Sequence, residues 1–478
     1  MAVNQGNKKI LDLKRWEFLS PAPAAAGAAA QISSSYFSRQ QQLYVQAATV
    51  AYIYTPSEDG WVILPSPAFA GTWAAGASSA GVVWSTGSTI GVASLTATGG
   101  STTTLVTNQT LARDLRGYYV NILSGPNAGE TKTIASNTVG VNATITFTTA
   151  SALPFDATNT YRILAPRWYA LGSGTLAAGS FKTYDFATNT WQTLSITGLP
   201  ATIGTDCKLV ATPSWYNGSY CGFGGGTATS ATPTTLVDST KTWAVGQWVG
   251  FQVRITGGTG AGQIATITAN TATDLTVSAW VIQPDNTSTY TIEGNDDFLW
   301  LFGNNAAAIY RYQISTNTWI TVTPVVARAA APGTALSANW VFGVTDSEWT
   351  NESAIINGRR IYSFRGGASG ALDYYDIPSN SWVSNVAYAS NAELLTTGSK
   401  YVYNTNYLYI QRDGTGRWLR YSFATSEMEG WSVMNYPQGT AVVGDTAFDV
   451  TYFDGASSVT YVHMILNSTV VQLRQMIF

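Results

Sequence analysis

Charge is scarce in this chain. Its 24 Lys and Arg and 27 Asp and Glu make up 11% of 478 residues, less than half the usual quarter, so Thr, Ser, Asn and Gly must supply most of the polar surface. Histidine is scarcer still. His463 is the single one, so no Ser-His-Asp or Cys-His site can draw on a second imidazole. Cysteine is limited to Cys207 and Cys221, which is no disulfide framework and, with one histidine, too few ligands for a tetrahedral zinc site. The two cysteines flank Asn217-Gly218, a type I′ hairpin signal that sets Cys221 opposite Ser214, so two free thiols are expected.

No Lys/Arg cluster accompanies the net charge of −3, which argues against nucleic acid and acidic membranes as partners, since both recruit basic patches. The uncharged stretch Pro21 to Ser38 is rich in Ala, Ser and Gly and lacks the Leu, Ile, Phe and Val density of a spanning helix. Lys8, Lys9, Lys14 and Arg15 near the N-terminus are not followed by an apolar h-region, so Sec export is not indicated. Nor is there a helical pattern longer than a turn or two, while a chain of this length exceeds what one core usually holds.

What is present is a repeat. The segment from Phe181 to Trp191 (FKTYDFATNTW) recurs from Ile309 to Trp319 (IYRYQISTNTW) and from Leu372 to Trp382 (LDYYDIPSNSW). In each, an aromatic strand and a polar turn place Trp seven residues after Tyr184, Tyr312 or Tyr375. Weaker copies run from Val50 to Trp61 and from Trp418 through Tyr421 to Trp431. Upstream of each lies an alternating apolar strand, as in Phe298–Phe302 or Tyr407–Ile410, the mark of half-buried β-structure.

One copy joins Ile361 to Gly367 (IYSFRGG), Tyr374-Tyr375-Asp376 and Ser379 to Trp382. It resembles the kelch repeat in its order of strand, the diglycine Gly366-Gly367, tyrosine and tryptophan. The resemblance implies one four-stranded propeller blade per repeat. Three strands after Trp431 end the chain without a Trp-bearing strand, and residues 10–19, with Trp16, read as the missing one. An all-β, six-bladed kelch-like β-propeller closed by the N-terminal strand is therefore expected, since closure removes exposed sheet edges.

Two blades carry about 70 to 80 residues beyond the kelch period, and the extra material is itself duplicated. Thr104-Leu105-Val106 matches Thr235-Leu236-Val237, the stretch 117–122 matches 250–255, and 156–163 matches 285–292. Each copy reads as short strands between Gly, Asn and Asp turns, a small β-barrel or sandwich. The expected division is 1–95 propeller (closing strand and first blade), 96–165 first insertion, 166–226 propeller, 227–293 second insertion and 294–478 propeller. The inserted module, with Ala261-Gly262-Gln263, Ile267, Pro284-Asp285 and Tyr290-Thr291-Ile292, resembles segments of tailed-bacteriophage tail, appendage and baseplate proteins.

Catalytic chemistry finds little to work with. Glu293, Asp296 and Asp297 cluster before a strand, and Asp445, Asp449 and Asp454 cluster near the C-terminus. A glycosidase needs only two such carboxylates, but turn and cap roles account for both groups. The string from Ser57 to Trp61 lacks the spacing of a sialidase box. Gly294 to Asp297 lacks the regular ligand spacing of an EF-hand, so a turn is expected there and no calcium. His463 sits in a strand pattern. Trp215, Tyr216, Trp349 and Tyr436, in expected loops, offer aromatic faces to a sugar.

These readings lead to a non-enzymatic virion structural component of a tailed bacteriophage, in tail, neck or appendage, made in the host cytoplasm. Such a protein binds other virion structural proteins in a symmetric multi-copy assembly and carries no cofactor or metal. A host-surface glycan or receptor-binding module of the tail is the alternative reading, and a polysaccharide-cleaving propeller enzyme is a third.

Overall fold

The structure is a computed structural model. It describes residues 17–23, 31–37, 40–47, 50–55, 58–70, 78–82, 94–165, 167–172, 174–203, 208–211, 215–216, 219–220, 222–294, 297–302, 309–328, 340–343, 360–366, 369–388, 400–403, 407–411, 418–431, 446–453, 458–465 and 472–477. Every regular element among them is a β-strand.

Six four-stranded antiparallel sheets account for most of these strands. Sheet 1 runs Gln31–Phe37, Gln40–Ala47, Val50–Thr55, Gly60–Ile63, each strand pairing with the next. Sheet 2 starts at Ser78–Val82 and resumes at Arg167–Leu171, Phe181–Asp185 and Thr190–Thr193. Sheet 3 starts at Lys208–Ala211 and resumes at Phe298–Phe302, Ile309–Gln313 and Thr318–Val322. Sheet 4 spans Trp340–Gly343 to Ser381–Tyr388, and sheet 5 spans Lys400–Tyr403 to Glu427–Trp431. Sheet 6 has Thr446–Phe453, Ser458–Ile465 and Gln472–Ile477, and its fourth strand comes from the other end of the chain: Glu17 pairs with Arg474 and Phe18 with Leu473.

First strands of successive sheets lie against one another from sheet 1 to sheet 4, from 5 to 6, and from 6 back to 1, while sheets 4 and 5 meet through their outer strands. Sheet 3 shows why the sequence stacks this way. Its strand Phe298–Phe302 is buried at every position. Phe298, Trp300 and Phe302 face sheet 4 and join one apolar cluster, whereas Leu299 and Leu301 face sheet 2 and join another. A strand that alternates two apolar sets belongs to a sheet covered on both faces.

The first insertion is a closed six-stranded barrel, and the second, called barrel 2 for its matching strand order, is a seven-stranded sheet. Barrel 1 closes in the order Thr131–Asn137, Thr144–Phe147, Thr104–Thr107, Leu95–Gly100, Thr160–Leu164, Tyr119–Ser124. Barrel 2 repeats that order, with the counterpart of Leu95–Gly100 split into Gly222–Thr227 and Ser230–Thr232. Each enters between the first and second strands of its sheet. The second begins at Gly222 and not at residue 227, because Gly222–Thr227 pairs with Thr289–Glu293 instead of continuing sheet 3. Neither core stands alone, since each apolar cluster runs from a barrel into the neighbouring sheets.

Candidate functional site: the inter-sheet clasp and the docked barrels

The repeat turns out to encode a three-residue device. In sheets 1 to 4 the tyrosine stands opposite the tryptophan across the last hairpin: Tyr54 opposite Trp61, Tyr184 opposite Trp191, Tyr312 opposite Trp319, Tyr375 opposite Trp382. Five residues after each tyrosine the backbone turns left-handed, at Asp59, Asn189, Asn317 and Asn380, with φ of 47°, 56°, 52° and 48°. Asn and Asp tolerate that conformation better than other non-glycine residues. Their side chains then accept the tyrosine hydroxyl at 2.7, 2.6, 2.7 and 2.7 Å. Burial pushes the Tyr184 hydroxyl up to about 12, and burial likewise raises Tyr312 and Tyr375, so all three remain donors.

The fifth copy requires a correction. Tyr421 has its left-handed residue at Ser426, φ 58°, again five positions on. The register then puts Met428 opposite Tyr421 and pairs Trp431 with Trp418. Turn length fixes that register, so Met428 takes the place expected for Trp431. Trp16 and Gly367 lie outside the described residues. Gly366 ends the strand Arg360–Gly366 at an irregular pairing with Ser369.

The indoles of the first three tryptophans reach back to the segment that follows the preceding sheet. The indole N–H of Trp61 donates to the Ser20 carbonyl at 3.0 Å, that of Trp191 to Pro65 at 2.8 Å, and that of Trp319 to Ser195 at 3.0 Å. Ser20, Pro65 and Ser195 each lie four residues beyond the preceding repeat's Trp position. The asparagine completes the grip. The Ser195 amide donates to Asn317 Oδ1 at 2.9 Å, and Asn380 Nδ2 donates to the Thr323 carbonyl at 2.9 Å. The linker then lies along the next sheet's edge, where the Trp382 amide donates to Val326 and the Val325 amide to Asn380. The sequence showed the tryptophans; the Asn two positions earlier and the linker residue four positions later carried a signal only as a recurring offset.

Pro65 has no amide hydrogen to offer Asn189. Barrel 1 supplies the donor instead: Arg113 Nη2 donates to Asn189 Oδ1 at 3.0 Å and to the Tyr184 hydroxyl at 2.6 Å, with its guanidinium 4.6 Å from the Phe186 ring centre. Barrel 2 is docked by the reverse arrangement, an arginine of the sheet inserted beneath the barrel. Arg311 donates to the carbonyls of Gln247 and Val249 at 3.1 and 2.7 Å and lies over Phe251, Phe298 and Trp300. It is 2% exposed, and burial lowers its pKa to about 10. Gln247 Nε2 reaches on to the Pro378 carbonyl of sheet 4 at 2.6 Å. Neither arginine stood out in the sequence, although alternation aims Arg311 at the same face as Ile309.

Two of the acidic candidates among the described residues, Glu293 and Asp297, have side-chain partners within the fold. Glu293 forms a two-point ion pair with Arg254, at 2.6 and 3.1 Å. Asp297, 2% exposed, caps the turn before Ser315, whose amide donates at 2.7 Å, and accepts from Gln313 Nε2 at 3.0 Å. Burial raises its pKa to about 6 against those bonds. Asp449 and His463 occupy adjacent strands of sheet 6, paired with Val462 and Phe448. Asp296, Asp445, Asp454, Cys207, Cys221, Trp349 and Tyr436 lie outside the described residues. Trp215 and Tyr216 form one side of a small hairpin, opposite Tyr220 and Ser219. Among the described residues no three His, Cys, Asp or Glu side chains gather as metal ligands.

No family model and no curated protein matches the chain. Among solved structures, a mitotic checkpoint complex is similar over 97% of this chain and 95% of its own, at 10% identity and a TM-score of 0.36. A mutant of the Aleuria aurantia lectin in complex with Fucalpha1-6GlcNAc is similar over 95% of this chain and 97% of its own, at 8% identity and a TM-score of 0.39. Neither likeness is close enough to assign a fold or an activity.

Proposed function

We propose that the six sheets are the blades of a closed, kelch-like β-propeller, and that this ring is a non-enzymatic structural component of a tailed-bacteriophage particle, in tail, neck or appendage. It works by rigid shape, holding two barrels as contact surfaces for other virion proteins. The observation that carries the reading is the clasp, one linker-to-turn grip repeated between successive sheets, together with the arginines that fix each barrel to its sheet. A protein that positions partners needs such stiffness, and loops held on a rigid scaffold are where contacts are usually made.

The phage assignment draws on the inserted module, whose Gly262 and Gln263 have a clear task. Gly262 turns at φ +92°, and Gln263 grips Ile282 from both sides, donating to its carbonyl at 2.7 Å and accepting its amide at 2.8 Å. In barrel 1 Asn127 grips Leu153 likewise, at 2.7 and 3.0 Å. The gripped residues remain 55% and 56% exposed, and Val281 beside Ile282 is 92% exposed, so both barrels present a fixed apolar residue. Two tests apply. Mass spectrometry or immunogold labelling of purified virions should find the protein in the particle. Val281→Asp with Leu153→Asp should leave folding intact yet reduce incorporation; normal incorporation of that variant would refute the barrels as contact surfaces.

A further inference from the structure

The joint between sheet 6 and sheet 1 differs in kind from the joints that follow it. Between sheets 2 and 3 the left-handed residue of the clasp is the neutral Asn317, and between sheets 3 and 4 it is the neutral Asn380. At the joint that brings the two ends of the chain together it is Asp59. Both carboxylate oxygens accept from the Ser20 amide, at 3.0 and 3.2 Å, while the Tyr54 hydroxyl donates to one of them at 2.7 Å. Trp61 Nε1 holds the Ser20 carbonyl at 3.0 Å. Ser20 thus has both backbone groups held by sheet 1, two residues beyond the Phe18 that pairs with Leu473 of sheet 6.

Hydrogen bonds to an ionised acceptor are roughly twice as strong as neutral ones. The entropy of loop closure also grows with loop length, and the longest loop in this molecule is the one this joint closes. We propose that residues 17–20 form a strap that closes the ring last, and that Asp59 is the keeper that holds it. The proposal rests on the closed-ring reading. The strap's own pairing supplies the register and the Asp59 carboxylate supplies the hold, so release at Asp59 opens the ring at one place and leaves the other joints shut.

Hydrogen exchange read by mass spectrometry separates the outcomes. In the full chain, Asp59→Ala should speed exchange across residues 17–22 by roughly tenfold or more, the loss expected for a charged hydrogen bond. Asp59→Asn, which places there the residue type found in sheets 2 to 4, should fall between that variant and wild type. Asn317→Ala should speed exchange around Ser195 and leave 17–22 at the wild-type rate. Should Asp59→Ala fail to fold, the Asp59→Asn comparison still decides: no acceleration at 17–22 overturns the latch. Equal acceleration at 17–22 in Asn317→Ala overturns it as well. Exchange at 17–22 that is unprotected in the wild type overturns the ring closure itself.

Discussion

Asn317 does two things at once, accepting from Tyr312 and from the Ser195 amide while its own backbone sits at φ 52°. Asn317→Gly keeps the backbone and loses the bonds, whereas Asn317→Ala loses both and should be the less stable by about 1 kcal/mol in denaturant titration. Burial sets a second ranking. Trp319 is 4% exposed, so Trp319→Ala should cost about 3–5 kcal/mol. Trp191 is only partly buried, and its substitution should cost roughly half as much. Equal losses in the two would show that the indoles do not sit at differently covered joints.

Asp297 gives a pH-dependent expectation at the same scale. Its pKa is raised by burial to about 6, from an ordinary 3.8, so the folded state holds the proton more tightly than the unfolded chain. Its contribution is therefore present in full below about 3.8 and is lost as pH rises through about 6, an effect on the order of 3 kcal/mol at most. Asp297→Asn should remove that component. The urea midpoint of wild type minus that of the variant should be more positive at pH 4.5 than at pH 7, and an unchanged difference would place Asp297 in contact with water.

The barrels change what their removal would do at the scale of elements. An insertion that enters and leaves through one side of a sheet suggests that it can be deleted cleanly. Docking contradicts that, because removing barrel 2 would uncover Phe298 and take away the two carbonyls that Arg311 serves. Arg311→Ala should cost about 3 kcal/mol through those lost bonds and open the turn near Gln247 to limited proteolysis, with sheets 1 and 2 unaffected. Cleavage no faster than in wild type would mean that the linking strands alone hold the barrel.

The all-β fold, the recurring hairpin and the duplicated insertion were legible in the sequence because period-two alternation, duplicated strings and the offset from Tyr to Trp are local signals. The docking arginines were not, since Arg113 and Arg311 act on residues far along the chain and no short motif marks them. Trp431 misled for a related reason. A tryptophan near the end of the fifth copy looked equivalent, but equivalence is decided by the left-handed position, and Ser426 lacks the Asn that would have announced it.

For the whole molecule, the ring reading depends on one pairing between the two ends of the chain, Glu17 with Arg474 and Phe18 with Leu473. Residues directly opposite in an antiparallel pair lie roughly 4.5–5.5 Å apart at Cα, within the span of a disulfide. The most direct measurement is oxidation of Glu17→Cys/Arg474→Cys in a chain whose Cys207 and Cys221 are replaced by Ser. A closed ring predicts rapid cross-linking within one chain and a raised thermal midpoint. Thiols that stay open to maleimide, or that link only between chains, would contradict the closed ring.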